Sequence, residues 1–287
     1  MNIVLNFSPI AIFIIMIGVG LSINIKKFLE VAKDFKALLI GLVSQIVILP
    51  IIGFLFAIFA PVDLVLKLGI ILITCVPSAV TSNYLSKLVD GNVALSVSLT
   101  SITACLSFIT IPFILTIIAP IILDENSIFQ ELNFFKMSAK LLFVTTIPVL
   151  IGMLISTKFS MFAKKINKFY SFFSFFLFLI IILAAWFTEW NVIIGLYGSI
   201  GLLVLTLAVV ILITSYALVS LLNLNEANKK TIILESFIQN AAMAIIVGGV
   251  AFGDGSGYLA IAALYALLQY KIILLFFVAD KFYKKFK

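Results

Sequence analysis

Apolar residues run along this chain in blocks of about twenty, and most polar residues fall between the blocks. Runs of that length suit the hydrocarbon core of a bilayer, which takes about 17 to 25 helical residues. The pattern predicts nine helices, over residues 8–23, 37–60, 68–89, 93–120, 137–155, 170–186, 191–222, 230–250 and 257–278. Two of them carry polar residues where a span should have none. From the third into the fourth, residues 77–100 read PSAVTSNYLSKLVDGNVALSVSLT. Pro77 removes a helical donor, and Ser and Asn side chains compete for backbone partners, so the third helix is expected to break near Ser82 and Asn83. In the eighth, LESFIQNAAMAIIVGGV places Glu235, Gln239 and Asn240 in an apolar run, with a break expected at Gln239 and Asn240. Irregular backbone at membrane depth is tolerated only where it is buried in protein or lines a wet cavity. Two such interruptions in corresponding positions of two halves point to a transporter's central site.

Composition narrows the class. Of 287 residues 64% are hydrophobic and 11% charged, against about a quarter charged in soluble domains. The reading is an all-α polytopic membrane protein. The net charge of +7 comes from lysine alone, and lysines in short loops carry no implication of nucleic acid. The absence of histidine excludes imidazole proton relays and His-ligated metal. Cys75 and Cys105 lie in apolar runs and suggest neither a disulfide framework nor a zinc site.

The charges also orient the chain. Lys26, Lys27, Lys33, Lys36, Lys158, Lys164, Lys165, Lys168, Lys229, Lys281, Lys284, Lys285 and Lys287 fall on one side of the nine spans. Asp63, Asp124, Glu125, Glu131, Glu189 and Asp254 fall on the other, with Lys67 and Lys136 as exceptions. The positive side is cytoplasmic, which places the N-terminus outside and the C-terminus inside a cell membrane. Residues 1–22 have no lysine ahead of their apolar run, so they read as a mature helix and not a secretory signal. The Phe-rich run 170–186 reads as a lipid-facing helix with an interfacial Trp, and residues 124–136 as an amphipathic segment on the outer surface.

Glu235 is the one acid deep in a predicted span, so it must bind a cation, pair with a lysine or stay protonated. Ser96 and Thr100 are four residues apart and share a helix face, as do Glu235 and Gln239. Carboxylate, amide and hydroxyl oxygens without thiolate or imidazole form a hard donor set suited to Na⁺. Each of these residues also has a plainer role open to it. Ser96 and Thr100 can serve close helix packing, Glu235 can be a neutral hydrogen-bonded acid, Gln45 a packing amide, and Lys271 a snorkelling or paired cation.

Together the run CVPSAVTSN, the following GNVALSVSLT and ESFIQN in the other half resemble the bile acid:sodium symporter family. With GVGLSI in the first helix and Gln45 in the second, the resemblance covers essentially the whole chain. It implies an inverted-repeat fold with two crossing discontinuous helices. A core would span about 37–120 and 191–287, and a panel about 8–23, 137–155 and 170–186. Some bacterial members have ten helices, and nine here would mean that the first is lacking. The resemblance further implies two Na⁺ sites, one from Ser82, Asn83, Ser96, Thr100 and Glu235. The other would use Gln45, Glu235 and Gln239 with the carbonyls of Ser236 and Ile238. A small-molecule organic anion would lie by the crossing, near Ala79, Val80, Asn240, Tyr270 and Lys271. Departures fall on the substrate side: Ser78-Ala79 replaces the usual Gly-Gly, Val80 a common threonine, Phe237 a glycine, and Gln269-Tyr270 a more usual polar pair. Sodium coupling is therefore expected more firmly than any substrate, with a small carboxylate as suitable as a bile acid.

The expected activity is sodium-coupled symport by alternating access. A proton-coupled carrier or exporter in which Glu235 titrates is the alternative. An intramembrane enzyme would need a nucleophile with a base or a paired acid, which this sequence hardly supplies. A receptor or scaffold would leave the broken helices without a reason.

Overall fold

In the computed structural model residues 3–22, 35–122, 132–195, 197–252 and 257–285 are described. Among them every regular element is helical. In chain order α1 covers Ile3–Ser22, α2 Phe35–Phe59, α3 Leu64–Cys75, α4 Thr81–Leu88, α5 Val93–Ile122 and α6 Phe134–Lys158. The second half continues with α7 Ser160–Thr188, α8 Trp190–Gly195, α9 Tyr197–Ser220, α10 Glu226–Phe237, α11 Ala241–Phe252 and α12 Tyr258–Lys285. Stretches of α2, α5, α6, α9 and α12 are long and apolar enough to cross a membrane, and α1, α3, α7 and α11 contain shorter apolar stretches. The chain is an all-α polytopic membrane protein. Lys26, Lys27, Lys33, Asp124, Glu125, Glu131, Asp254, Lys287 and most of the expected surface segment 124–136 lie outside the described residues. The side chains of Lys164, Lys168, Lys281, Lys284 and Lys285 do so as well.

Prolines shape two of the long helices. Pro50 and Pro148 have no N–H for the carbonyl four residues back, and the ladder ahead of each widens into a π-helical stretch. These stretches are Ser44–Ile48 in α2 and Leu142–Thr146 in α6, closed by Leu49 N–H on Ser44 and by Ile147 N–H on Leu142. The first π stretch carries Gln45 and buries its side chain.

Both expected interruptions are present, and the first lies earlier than the sequence suggests. The chain leaves the helix over residues 76–80, whereas Ser82 and Asn83 lie in the first turn of α4. Pro77 accounts for the shift by forcing the preceding residue out of helical geometry. Val76 is extended, with ψ 152°. The second break occupies residues 238–240, as expected. The two breaks cross and pair as an isolated antiparallel bridge between Ser78 and Gln239. Ala79 N–H donates to Ile238 C=O at 3.1 Å and Asn240 N–H to Pro77 C=O at 3.0 Å. The bridge thus pairs four backbone groups of the two breaks in the interior, where each left alone would be costly.

Around the crossing α3, α11 and the first half of α12 are buried. Elsewhere α1 packs on α6 and α7. A Cβ on Gly152 would lie 2.8 Å from Gly20 Cα and 2.8 Å from Leu21 N, so α1 and α6 touch backbone to backbone there. Gly152→Val should lower stability by about 1–3 kcal/mol through overpacking. Thermal unfolding in detergent reads this, and an unchanged midpoint would mean that the two helices can part freely.

The exposed Phe172, Phe175, Phe176 and Phe187 give α7 the expected apolar outer face. Trp186 at its end is half-buried, and its indole N–H turns inward to Ala263 C=O on α12 at 3.0 Å. Its neighbours Ala262 and Ala263 are small enough to admit the ring, and a half-buried indole needs an acceptor. Glu189, counted among the outer-side acids, is also buried, and accepts the Gly257 N–H at 2.7 Å. Burial pushes its carboxyl above the usual range, opposed by that bond.

Candidate functional site

The carboxylate of Glu235 sits at the crossing, on the last turn of α10, with no solvent exposure. Its Oε1 accepts from Ser82 at 2.5 Å and from Ser96. Its Oε2 accepts from Ser78, from Thr100 at 2.9 Å and from Gln45 Nε2 at 3.4 Å. Three helices and one break therefore converge on a single acid. Ser96 and Thr100 come from one face of α5, Ser82 from α4, Gln45 from the π stretch of α2 and Ser78 from the first break. Asn83 completes the group, its Oδ1 accepting from Ser96 at 2.8 Å and from Thr100 at 3.4 Å.

All these donors are neutral. Among the described residues the one ion pair joins Lys229 and Glu226 at the surface, so none of their lysines neutralises Glu235. No cluster of His, Cys, Asp and Glu suited to a transition metal occurs among the described residues either. An isolated buried carboxylate at this depth calls for a mobile cation or a proton.

A second set of oxygens lies beside the first. Gln239 Nε2 donates to Ser236 C=O at 2.6 Å, and Ile238 C=O takes the Ala79 N–H. Both carbonyls keep a second lone pair. The side-chain oxygens of Gln45 and Gln239 are buried without a hydrogen-bond partner. Most buried polar atoms are satisfied, so two unpartnered amide oxygens near one unpaired carboxylate fit the donor set of a hard cation. A small cavity lined by Gln45, Cys75, Pro77 and Thr103 lies at the first of these, Gln45.

The expected anion-side residues are only partly brought together. Ala79 is buried and Val80 half-buried at the start of α4. Asn240 caps α11 by accepting the Met243 N–H at 3.1 Å, and Tyr270 shares a 2.7 Å hydrogen bond with Thr81. Lys271 is not brought to the group. It is exposed, on the outward side of α12 with Leu267, Leu274 and Leu275, a placement that suits snorkelling.

Sequence reasoning misses several partners. Ser78 looks like a departure from a glycine pair, yet its hydroxyl reaches both Glu235 and Thr100, the latter at 3.0 Å. Ser44 is hydrogen-bonded to Ser236 at 2.8 Å, and Gln269 and Tyr265 of α12 hold the second break. The signal available for Gln269 is a lone amide in an apolar helix, which by itself indicates only packing.

A profile of the sodium bile acid symporter family matches residues 9–196. The chain is 30% identical over 273 residues to the human sodium/bile acid cotransporter 4, an alignment covering 92% of this chain and 60% of that protein. It is 30% identical over 159 residues to the human ileal sodium/bile acid cotransporter, covering 55% of this chain and 45% of the other. With YocS of Bacillus subtilis, described as an uncharacterized sodium-dependent transporter, identity is 31% over 114 residues, or 40% of this chain and 36% of YocS. The chain spans about half the length of the curated relatives it matches.

Proposed function

The chain belongs to the sodium bile acid symporter family, and we propose that it is a sodium-coupled carrier moving a small-molecule organic anion by alternating access. The observation that carries this reading is Glu235, wholly buried, ringed by neutral donors and flanked by the unpartnered oxygens of Gln45 and Gln239. One Na⁺ would be held by Ser82, Asn83, Ser96, Thr100 and Glu235. A second would take Gln45, Gln239 and Glu235 with the Ser236 and Ile238 carbonyls. Each ion is cargo as well as organiser: bound cations offset the carboxylate and hold the two breaks together. The anion would then lie by the N-terminal ends of α4 and α11, whose helix dipoles favour negative charge, beside Ala79, Val80, Asn240 and Tyr270. The helices α1, α6 and α7 would act as a panel that moves against a core of α2–α5 and α9–α12. The lysine-rich loops support a cytoplasmic C-terminus, with the protein in a cell membrane.

Thermal stability in Na⁺ against K⁺ at equal ionic strength tests the reading. Ligand that binds only the folded state raises stability by about 2.7 kcal/mol at a hundred times its dissociation constant. A saturable rise specific to Na⁺ is expected. Equal stability in the two ions would overturn sodium coupling and transfer the role of Glu235 to proton binding, which a repeat across pH would then reveal.

A further inference from the structure

At the second break the chain leaves helical geometry at Ile238 and regains it at Ala241. The bridge to the first break uses the C=O of Ile238 and the N–H of Asn240. In an antiparallel pair the N–H and C=O of the residue between such bonds point to the opposite side. That residue is Gln239, and its peptide groups face α12. There Gln269, wholly buried, takes both. The Gln239 N–H donates to Gln269 Oε1 at 2.9 Å, and Gln269 Nε2 donates to Gln239 C=O at 3.2 Å. The side chain does for this peptide what a third strand would do.

The consequence falls on the side chain of Gln239. Its Nε2 is held by Ser236 C=O at 2.6 Å, its backbone is fixed by the bridge on one side and Gln269 on the other, and its Oε1 alone has no partner. One turn earlier on α12, the Tyr265 hydroxyl donates to Phe237 C=O at 2.9 Å, so α12 grips the break at two points. The same helix receives the indole of Trp186 from α7. We propose that Gln269 is a positioning residue for the second cation: its paired amide bonds hold the Gln239 peptide so that Gln239 Oε1 faces the ion. Displacement of α12 would thereby alter cation affinity. The inference rests on the sodium reading above and names a residue outside the donor set.

The test is a Na⁺ titration, against K⁺ at constant ionic strength, of the thermal stability of the full chain in detergent. A wild-type protein without a saturable Na⁺ response overturns the sodium reading and this inference with it. Given that response, Gln269→Met, similar in volume but unable to pair, should raise the half-saturating Na⁺ concentration about tenfold and lower the steepness of the titration towards that of one ion. Gln269→Glu keeps the acceptor for the Gln239 N–H and should fall between the two. Ile273→Ala, a buried truncation further along α12, should lower stability in both salts without moving the half-saturation. A Gln269→Met titration within twofold of wild type overturns the proposal while leaving the sodium reading intact. Should that variant fail to fold, a Gln269→Glu titration coincident with wild type does the same.

Discussion

Glu235→Ala should abolish the Na⁺-specific gain in stability and Na⁺-driven transport together, while Lys67→Ala leaves both in place. Removing one partner of a buried charge pair costs about 3–5 kcal/mol. At about 1.4 kcal/mol per decade this predicts more than a hundredfold loss of Na⁺ affinity. Folding should tolerate the change better than binding does. The hydroxyls around Glu235 already have other partners: Ser78 with Thr100 at 3.0 Å, Ser96 with Asn83 at 2.8 Å and Ser86 with Ser96 at 3.2 Å. With the acid gone they can close on one another, so stability in K⁺ should fall only modestly. Glu235→Gln separates the two coupling ions. It preserves shape while removing charge, so a sodium carrier loses its Na⁺ response and a proton carrier becomes indifferent to pH in the range where the wild type responds. A Na⁺-specific rise surviving in Glu235→Ala would sink the assignment of both ion sites.

Features legible in the sequence are those whose chemistry is out of place locally. A carboxylate, two amides and a proline inside apolar runs mark both breaks and the group at Glu235. The sequence points to Ser82 and Asn83 as the first break because serine and asparagine favour caps and turns over helix interiors. In the structure the Ser82 hydroxyl reaches Glu235 as well as the Ala79 C=O, Asn83 accepts from Ser96, and α4 begins before both residues. Tertiary partners override local preference here. Gln269 and Trp186 could not be assigned because their partners, Gln239 and Ala263, lie 30 and 77 residues away, a separation that no periodicity reveals. Ser78 is invisible for another reason. Its importance depends on the crossing, which places a break residue against an acid 157 positions on. Lys271 carries two readings in the sequence, substrate contact and snorkelling, and its exposed place on α12 suits the second.

Gln45→Met should make the protein more stable in K⁺ and less responsive to Na⁺. In the structure Gln45 is buried, its Oε1 has no partner, and its Nε2 reaches Glu235 only at 3.4 Å. A buried polar group left unsatisfied costs about 1–3 kcal/mol, and methionine fills a similar volume without that cost. Stability in K⁺ should therefore rise by about 1 kcal/mol, the lower end of that range, because the weak bond to Glu235 is lost as well. In Na⁺ the sign reverses if the free oxygen is a ligand. The variant forfeits one donor of the second site, its response should shrink, and its titration should lose steepness as the second ion drops out. Thermal unfolding across a Na⁺ series at constant ionic strength measures both effects on one sample. A purely structural glutamine would shift the two salts equally, and equal shifts would remove Gln45 from the ion site. Opposite shifts would mean that the chain keeps a destabilising, unsatisfied amide at its centre because the ion requires it, the cost expected where a site is organised for a ligand.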